Sequence, residues 1–304
     1  MPDVPASGSI SPNDGLLMMT DYPSWGKVYL VGAGPGDPEL LTMKAHRLLH
    51  EVDVVLHDAL VDEDLLESIP DRTVVRDVGK RPNGKRTSQA EINDLLVSHA
   101  QAGRDVVRLK GGDPTVFGRG GEEAEILAEA GVPVEIVPGV TSVVGGPGVV
   151  GIPLTHREHA SSVTVITGHE APDKPDSSLD WDALAATVKA GGTLVIVMGV
   201  RTLPKNVAAL QNRGVSSGCP VAMIEKATWE DEHIVTGTLG SIVDASDAAG
   251  IEPPALTVIG DVVSVRDRVR SALQRDAGTV LESPIAIPAA ELSFASQAEL
   301  PFNP

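Results

Sequence analysis

Cysteine is nearly absent. A single residue, Cys219, stands in 304, which excludes an intramolecular disulfide framework and a cysteine-rich zinc site and fits a reducing compartment. Aromatic residues make up only 3%, too few for a base-stacking surface. Positive charge is scarce too. Lys and Arg number 24 against 42 Asp and Glu, and the net charge of −18 argues against a general nucleic-acid or anionic-membrane binder. No apolar run reaches the length of about 18 residues that a membrane helix needs. The start of the chain shows no basic segment leading into an apolar one, so no signal peptide is expected and the expected location is the cytoplasm.

What is present is a core-forming chain. Hydrophobic residues are 42%, which rules out global disorder. At about 150 residues per domain, the length predicts two domains. The ends differ from the middle: residues 1–25 and 276–304 together carry seven acids and no cation, are rich in Pro, Ser and Ala, and show no sustained period. The expected organisation is a disordered tail at 1–25, an N-terminal α/β domain at 26–140, a C-terminal α/β domain at 141–270 and a disordered acidic tail at 271–304.

Apolar runs rich in Val and Ile fall at 28–31, 52–56, 106–109, 132–137, 163–167, 193–198, 221–224 and 256–259. They mostly lack clean alternation, the pattern of strands covered on both faces. Between them, segments such as 38–50, 89–102, 121–130 and 203–213 repeat apolar residues at three and four, as helices do. The predicted class is α/β with at least two sheets, and the glycine-rich stretch 138–151 marks the expected boundary.

Three local signals carry chemistry. The first apolar run leads into Gly32-Ala33-Gly34-Pro35-Gly36-Asp37-Pro38, a strand, a glycine turn and a helix start that let backbone approach a ligand closely. Asp37 suits an N-cap and Pro38 the first helical position. Pro35 removes an N–H that a dinucleotide pyrophosphate cradle would use, which counts against a nicotinamide-binding oxidoreductase. The second signal is Leu109-Lys110-Gly111-Gly112-Asp113-Pro114, again after a strand; Asp113 would accept from ligand hydroxyls or an ammonium. The third is residues 76–86, five cations against Asp77, a local charge of +4 in an acidic chain. With Lys110, Arg119 and Arg157 beside glycine turns, it points to an anionic ligand, the bland alternative being a solvated ion-paired loop.

Together these stretches resemble the tetrapyrrole methylase family, in particular the members that methylate uroporphyrinogen III. The resemblance spans roughly 26–270 and is carried by VYLVGAGPGDPELLTMKA at 28–45, HDALV at 57–61, VGKR at 78–81, VVRLKGGDPTVFGRGGEEAE at 106–125, VPGVTS at 137–142, GIPLTHR at 151–157, VMG at 197–199, EKAT at 225–228 and the PALTVIGDVVSVRD end. It implies two α/β domains with the active site in the cleft between them, a homodimer, and S-adenosylmethionine as methyl donor with S-adenosylhomocysteine as product. It implies two C-methylations of uroporphyrinogen III to give precorrin-2, for sirohaem or cobalamin. No metal is implied.

Carried over motif by motif, the resemblance assigns the cofactor to Pro35, Gly111, Gly112, Asp113, Val116, Thr141, Ser142, Met198, Ala227 and Ala255. It makes Asp58 the proton acceptor and Lys80 the proton donor; without it, Asp58 reads as a helix cap and Met198 as ordinary core. Lys80, Arg81, Lys85, Arg86, Arg119 and Arg157 suit the eight carboxylates of the tetrapyrrole. Three positions depart from the family pattern: His57 for an aromatic Tyr, Thr115 for Phe, and Val149-Val150 for a small residue and Tyr. A methylase of later cobalt-precorrins and a noncatalytic tetrapyrrole-binding module are the remaining alternatives. Fifteen Arg against nine Lys on an acidic chain also resembles salt-adapted proteins.

Overall fold

The computed structural model describes residues 24–79, 87–174 and 177–276. The basic stretch 80–86 and most of the two tails lie outside the described residues. Trp25 packs against the first core, and the last helix runs from Val263 to Asp276.

The first sheet holds β1 (Val28–Gly32), β2 (Val54–His57), β3 (Val74–Asp77), β4 (Val106–Lys110) and β5 (Val134–Val137) in the order β3-β2-β4-β1-β5, every pair parallel. Helices α1 (Met43–Glu51) and α2 (Glu63–Glu67) cover one face, where Val31, Val55, Val107 and Leu109 meet Ala45, Leu48, Leu49 and Leu65. Helices α3 (Gln89–Gln101) and α4 (Gly120–Glu129) cover the other, where Leu30, Leu56 and Val106 meet Ile92, Leu96 and Leu127. Alternate strand residues thus feed opposite cores, which is why the runs read as continuously apolar. Helix starts follow side-chain chemistry: Thr42 accepts the Ala45 amide, Asp62 caps α2, and Ser88 with Glu91 forms a capping box on α3.

The second sheet holds β6 (Val163–Thr167), β7 (Thr193–Val197), β8 (Pro220–Glu225), β9 (His233–Thr238) and β10 (Ala255–Ile259) in the order β6-β7-β10-β8-β9. Only β6 and β7 are parallel; the other pairs are antiparallel. Helices α6 (Trp181–Lys189), α7 (Leu203–Asn212) and α8 (Ile242–Ala249) cover one face. Helices α5 (Ser142–Val149) and α9 (Val263–Asp276) lie against the other.

Two strands escape the apolar-run reading. Both β3 and β9 are edge strands and half exposed, so their sequences stay polar or carry glycine. Arg76 and Asp77, counted with the basic loop, end β3. The glycine-rich stretch 138–151 is not a bare linker: most of it is α5. Its glycines serve close packing. A Cβ on Gly145 would lie 3.1 Å from Pro35 Cγ, and one on Gly146 would lie 2.8 Å from Leu256 Cδ2. The small-residue helix therefore packs against the first sheet's glycine turn and against the second sheet at once.

Candidate active site

All five parallel strands deliver their C-terminal ends to one edge of the first sheet, where ligands bind in open α/β folds. The loops after β1, β2, β3, β4 and β5 place Pro35, Asp58, Gly79, Gly111–Asp113 and Thr141 around a single cavity of about 720 Å³. From the second sheet, the ends of β6, β7 and β8 contribute His169, Met198 and Ala227, and the start of β10 contributes Ala255. The volume is that of a small-molecule or cofactor site.

The two glycine motifs meet here. Gly112 donates to Gly34 O at 2.7 Å and Gly34 to Gly112 O at 3.2 Å, with φ of 68° and 79°. Backbone strain gathers at the same place: Phe117, Arg119, Met198 and Lys226, all non-glycine residues with positive φ, line the cavity. Met198 is accordingly not core; it follows β7 and is 44% exposed.

A buried charge network stands behind Asp58. Arg108 and Lys110, two apart on β4, point to the same face. Arg108 pairs with Asp58 and places Nε 3.4 Å from Glu123, and Lys110 Nζ lies 3.1 Å from Glu123. Glu123 is 0% exposed on α4 and also accepts from Gln89 at 2.9 Å. Two cations and two carboxylates balance: Arg108, Lys110 and Glu123 lie out of water, where a charge keeps its place only when paired, and Asp58 is part-exposed at the cavity. Burial lowers the Lys110 ammonium below its ordinary pKa, and the Arg108 charge pushes the same way. Lys110, read in the sequence as an anion-binding cation, is thus engaged internally.

Asp58 does not cap a helix; α2 is capped by Asp62. Asp113 lines the cavity, yet both its oxygens are held by its own surroundings: Oδ1 accepts from the Thr115 amide and hydroxyl, and Oδ2 accepts from Gly139 N at 3.0 Å. Burial alone would raise its pKa, but these hydrogen bonds outweigh it and hold the carboxyl below its ordinary value. The departure at Thr115 thus braces the turn. His57 is buried and donates from Nδ1 to Asp58 O at 3.0 Å. Val149 and Val150 do not line the cavity.

Every residue of the sequence-derived cofactor set lines this cavity: Pro35, Gly111, Gly112, Asp113, Val116, Thr141, Ser142, Met198, Ala227 and Ala255. Asp58 and Arg119 line it as well, with Arg119 bonded to Glu122. Lys80, Arg81, Lys85 and Arg86 lie outside the described residues. Arg157 is exposed and does not line the cavity; the GIPLTHR turn lies on the α9 side of the second sheet. Beside it, His156, Glu158 and His159 bring possible metal ligands within 4.8 Å, but His156 Nδ1 accepts the Glu158 amide and His159 Nε2 accepts from Arg268. Sequence reasoning missed Gln89, Arg108, Glu123, Arg201 and Trp229; a polar residue inside the buried run at 106–110 was the available signal for Arg108.

A two-sheet α/β chain with a strained, glycine-lined cleft between its sheets is a small-molecule enzyme of the cofactor-cleft class. The match is more specific than that. Residues 27–243 fit the model of the tetrapyrrole (corrin/porphyrin) methylases, and the chain belongs to that family. It is 50% identical over 244 residues to the S-adenosyl-L-methionine-dependent uroporphyrinogen III methyltransferase of Methanosarcina barkeri, covering 80% of this chain and 94% of that protein. It is similar to the uroporphyrin-III C-methyl transferase of Thermus thermophilus crystallised with S-adenyl homocysteine, at 43% identity and a TM-score of 0.65, covering 79% of this chain and 100% of that one. Cobalt precorrin-4 methyltransferase matches with a TM-score of 0.69 but only 31% identity, covering 78% of this chain and 95% of that one. The fold is therefore shared across tetrapyrrole methylases, and the sequence favours the uroporphyrinogen branch.

Proposed function

We propose that the chain transfers methyl groups from S-adenosylmethionine to two carbons of uroporphyrinogen III, giving precorrin-2 for sirohaem or cobalamin. The observation that carries this reading is the convergence of the cofactor set from loops of both sheets on the cavity that also holds Asp58. Under it, Pro35, Gly111, Gly112, Asp113, Val116, Thr141, Ser142, Met198, Ala227 and Ala255 hold the cofactor.

S-adenosylmethionine, when bound, supplies an electrophilic methyl on a sulfonium whose leaving group is a neutral thioether. The chain's task is then alignment, catalysis by proximity and orientation. Glycine backbone at Gly111 and Gly112 brings main-chain groups to the ligand without side-chain bulk. Asp58, fixed by Arg108, accepts the proton lost when the ring carbon is substituted, and Lys80 returns one to the macrocycle. Lys80, Arg81, Lys85, Arg86 and Arg119 bind the substrate carboxylates.

The reading extends to a homodimer working in the cytoplasm, to domains at 26–140 and 141–270, and to salt adaptation. The structure contributes one coarser fact: no helix among the described residues is long and apolar enough to cross a membrane.

The test is incubation of the full chain with uroporphyrinogen III and methyl-labelled S-adenosylmethionine, read by mass. Two labelled methyl groups per tetrapyrrole are expected. Cofactor binding without methyl transfer would overturn the substrate assignment.

A further inference from the structure

The loop after β8 crosses the cleft. Its own geometry is tightly fixed: Lys226 donates to Pro254 O at 2.9 Å, Trp229 N to Lys226 O at 2.9 Å, and Thr228 N to the Glu232 carboxylate at 2.9 Å. Lys226 also pairs with Asp231. Lys226 and Thr228 have φ of 46° and 73°, conformations that a non-glycine residue keeps only when its surroundings impose them.

From this loop, two hydrogen bonds reach the first sheet's glycine turn. Trp229 Nε1 donates to Pro35 O at 3.1 Å, and the Thr228 hydroxyl accepts the Asp37 amide at 3.0 Å. The fit leaves no space: a Cβ on Gly36 would lie 2.0 Å from Trp229 Cδ1 and 2.9 Å from Thr228 Oγ1. Gly36 is therefore required by the indole that lies against it. Trp229 also lines the cavity, beside Pro35 and Ala227.

We infer that Thr228 and Trp229 form a latch across the cleft and act as positioning residues for the cofactor. They hold the Gly34–Asp37 turn in its ligand-ready shape, and the indole forms part of the wall. The latch has a consequence for affinity. A turn already tied to the opposite sheet need not be ordered when the ligand arrives, so the ligand binds more tightly. The inference rests on the reading of this cavity as the cofactor's site.

The experiment uses the full chain and S-adenosylhomocysteine itself, followed by calorimetry and by tryptophan emission. In the wild type, the ligand binds and changes the emission. Trp229→Phe keeps an aromatic ring and removes the N–H; the Kd is expected to rise about three- to tenfold, the yield of one hydrogen bond. The ligand-induced emission change should vanish, because Trp25 and Trp181 do not line the cavity. The KM for the tetrapyrrole should stay at its wild-type value. Where Trp229→Phe does not fold, Thr228→Val breaks the companion bond and is read by the same Kd. Wild-type binding together with an unaltered Kd in the variant overturns the latch alone. No binding by the wild type overturns the cofactor reading, and the latch with it.

Discussion

The two sheets face one cavity with different chemistry. The all-parallel sheet brings Asp58, Arg108, Lys110 and the Asp113 turn, charged groups held by one another. The mixed sheet brings mostly apolar wall: Val197, Met198, Ile224, Ala227, Ala255 and Leu256. The difference follows from topology. Parallel strands all end at the same edge, so five loops with free backbone groups converge there. The second sheet alternates strand direction, and fewer of its turns reach the cleft. An apolar wall opposite a charged one excludes water and strengthens the electrostatics on the polar side. Proton handling thus falls to the first sheet, while the cofactor is held by the glycine turns of the first sheet and the apolar wall of the second.

The strongest challenge to that division is Asp58→Asn. It should reduce kcat by about two to four orders of magnitude, the range for a positioned acid or base, with S-adenosylhomocysteine affinity unchanged. Calorimetry on the same preparation separates the two; a lost cofactor affinity would place Asp58 among the groups that hold the cofactor rather than those that handle the proton. Next, the two halves should fail differently when their cores are cut. Glu123→Gln leaves buried Lys110 without its counter-charge and Arg108 with Asp58 alone, and should cost about 3–5 kcal/mol in urea unfolding. Leu210→Ala, on α7 behind the second sheet, should cost about 2–5 kcal/mol by cavity formation and leave turnover per folded molecule intact. Equal losses of turnover per folded molecule would erase the contrast.

These contrasts also show what was legible beforehand. Buried strands such as 28–31 and 106–109 were readable because both faces are apolar, and the turns at Gly34 and Gly112 because glycine has few other reasons to cluster after a strand. The charge network was not readable: Arg108 and Glu123 are brought together only by α4 folding back over β4. Trp229 was invisible for a similar reason, since its partner Pro35 is 194 residues away. Arg157, exposed and outside the cavity, shows the limit of charge alone. A cation beside a glycine turn says nothing about which side of the sheet the turn is on. In α5, glycines at 145 and 146 read as part of a domain boundary because packing glycines and linker glycines have the same composition.

A smaller effect tests the polar side through pH. The Asp113 carboxyl is held below its unfolded value of 3.8, so its stabilising contribution is complete above that pH and is lost as pH falls through the lower folded value. Thr115→Val removes one of the bonds responsible. The variant should be less stable at neutral pH, and the deficit should fade in acid below pH 3.8; a deficit independent of pH would show that Asp113 is not its source. The smallest effect is expected at the rim. Arg119→Gln, exposed and paired to Glu122, should raise the tetrapyrrole KM about fewfold, as a single solvated charge contact would, with cofactor Kd and melting temperature unchanged.

The central claim is that the cofactor lies between the two sheets and touches both. Amide hydrogen exchange of the full chain, with and without S-adenosylhomocysteine, tests it most directly. The account predicts slowed exchange in segments 32–37 and 111–116 of the first sheet together with 197–202 and 226–229 of the second. Protection confined to the loops of one sheet would contradict it.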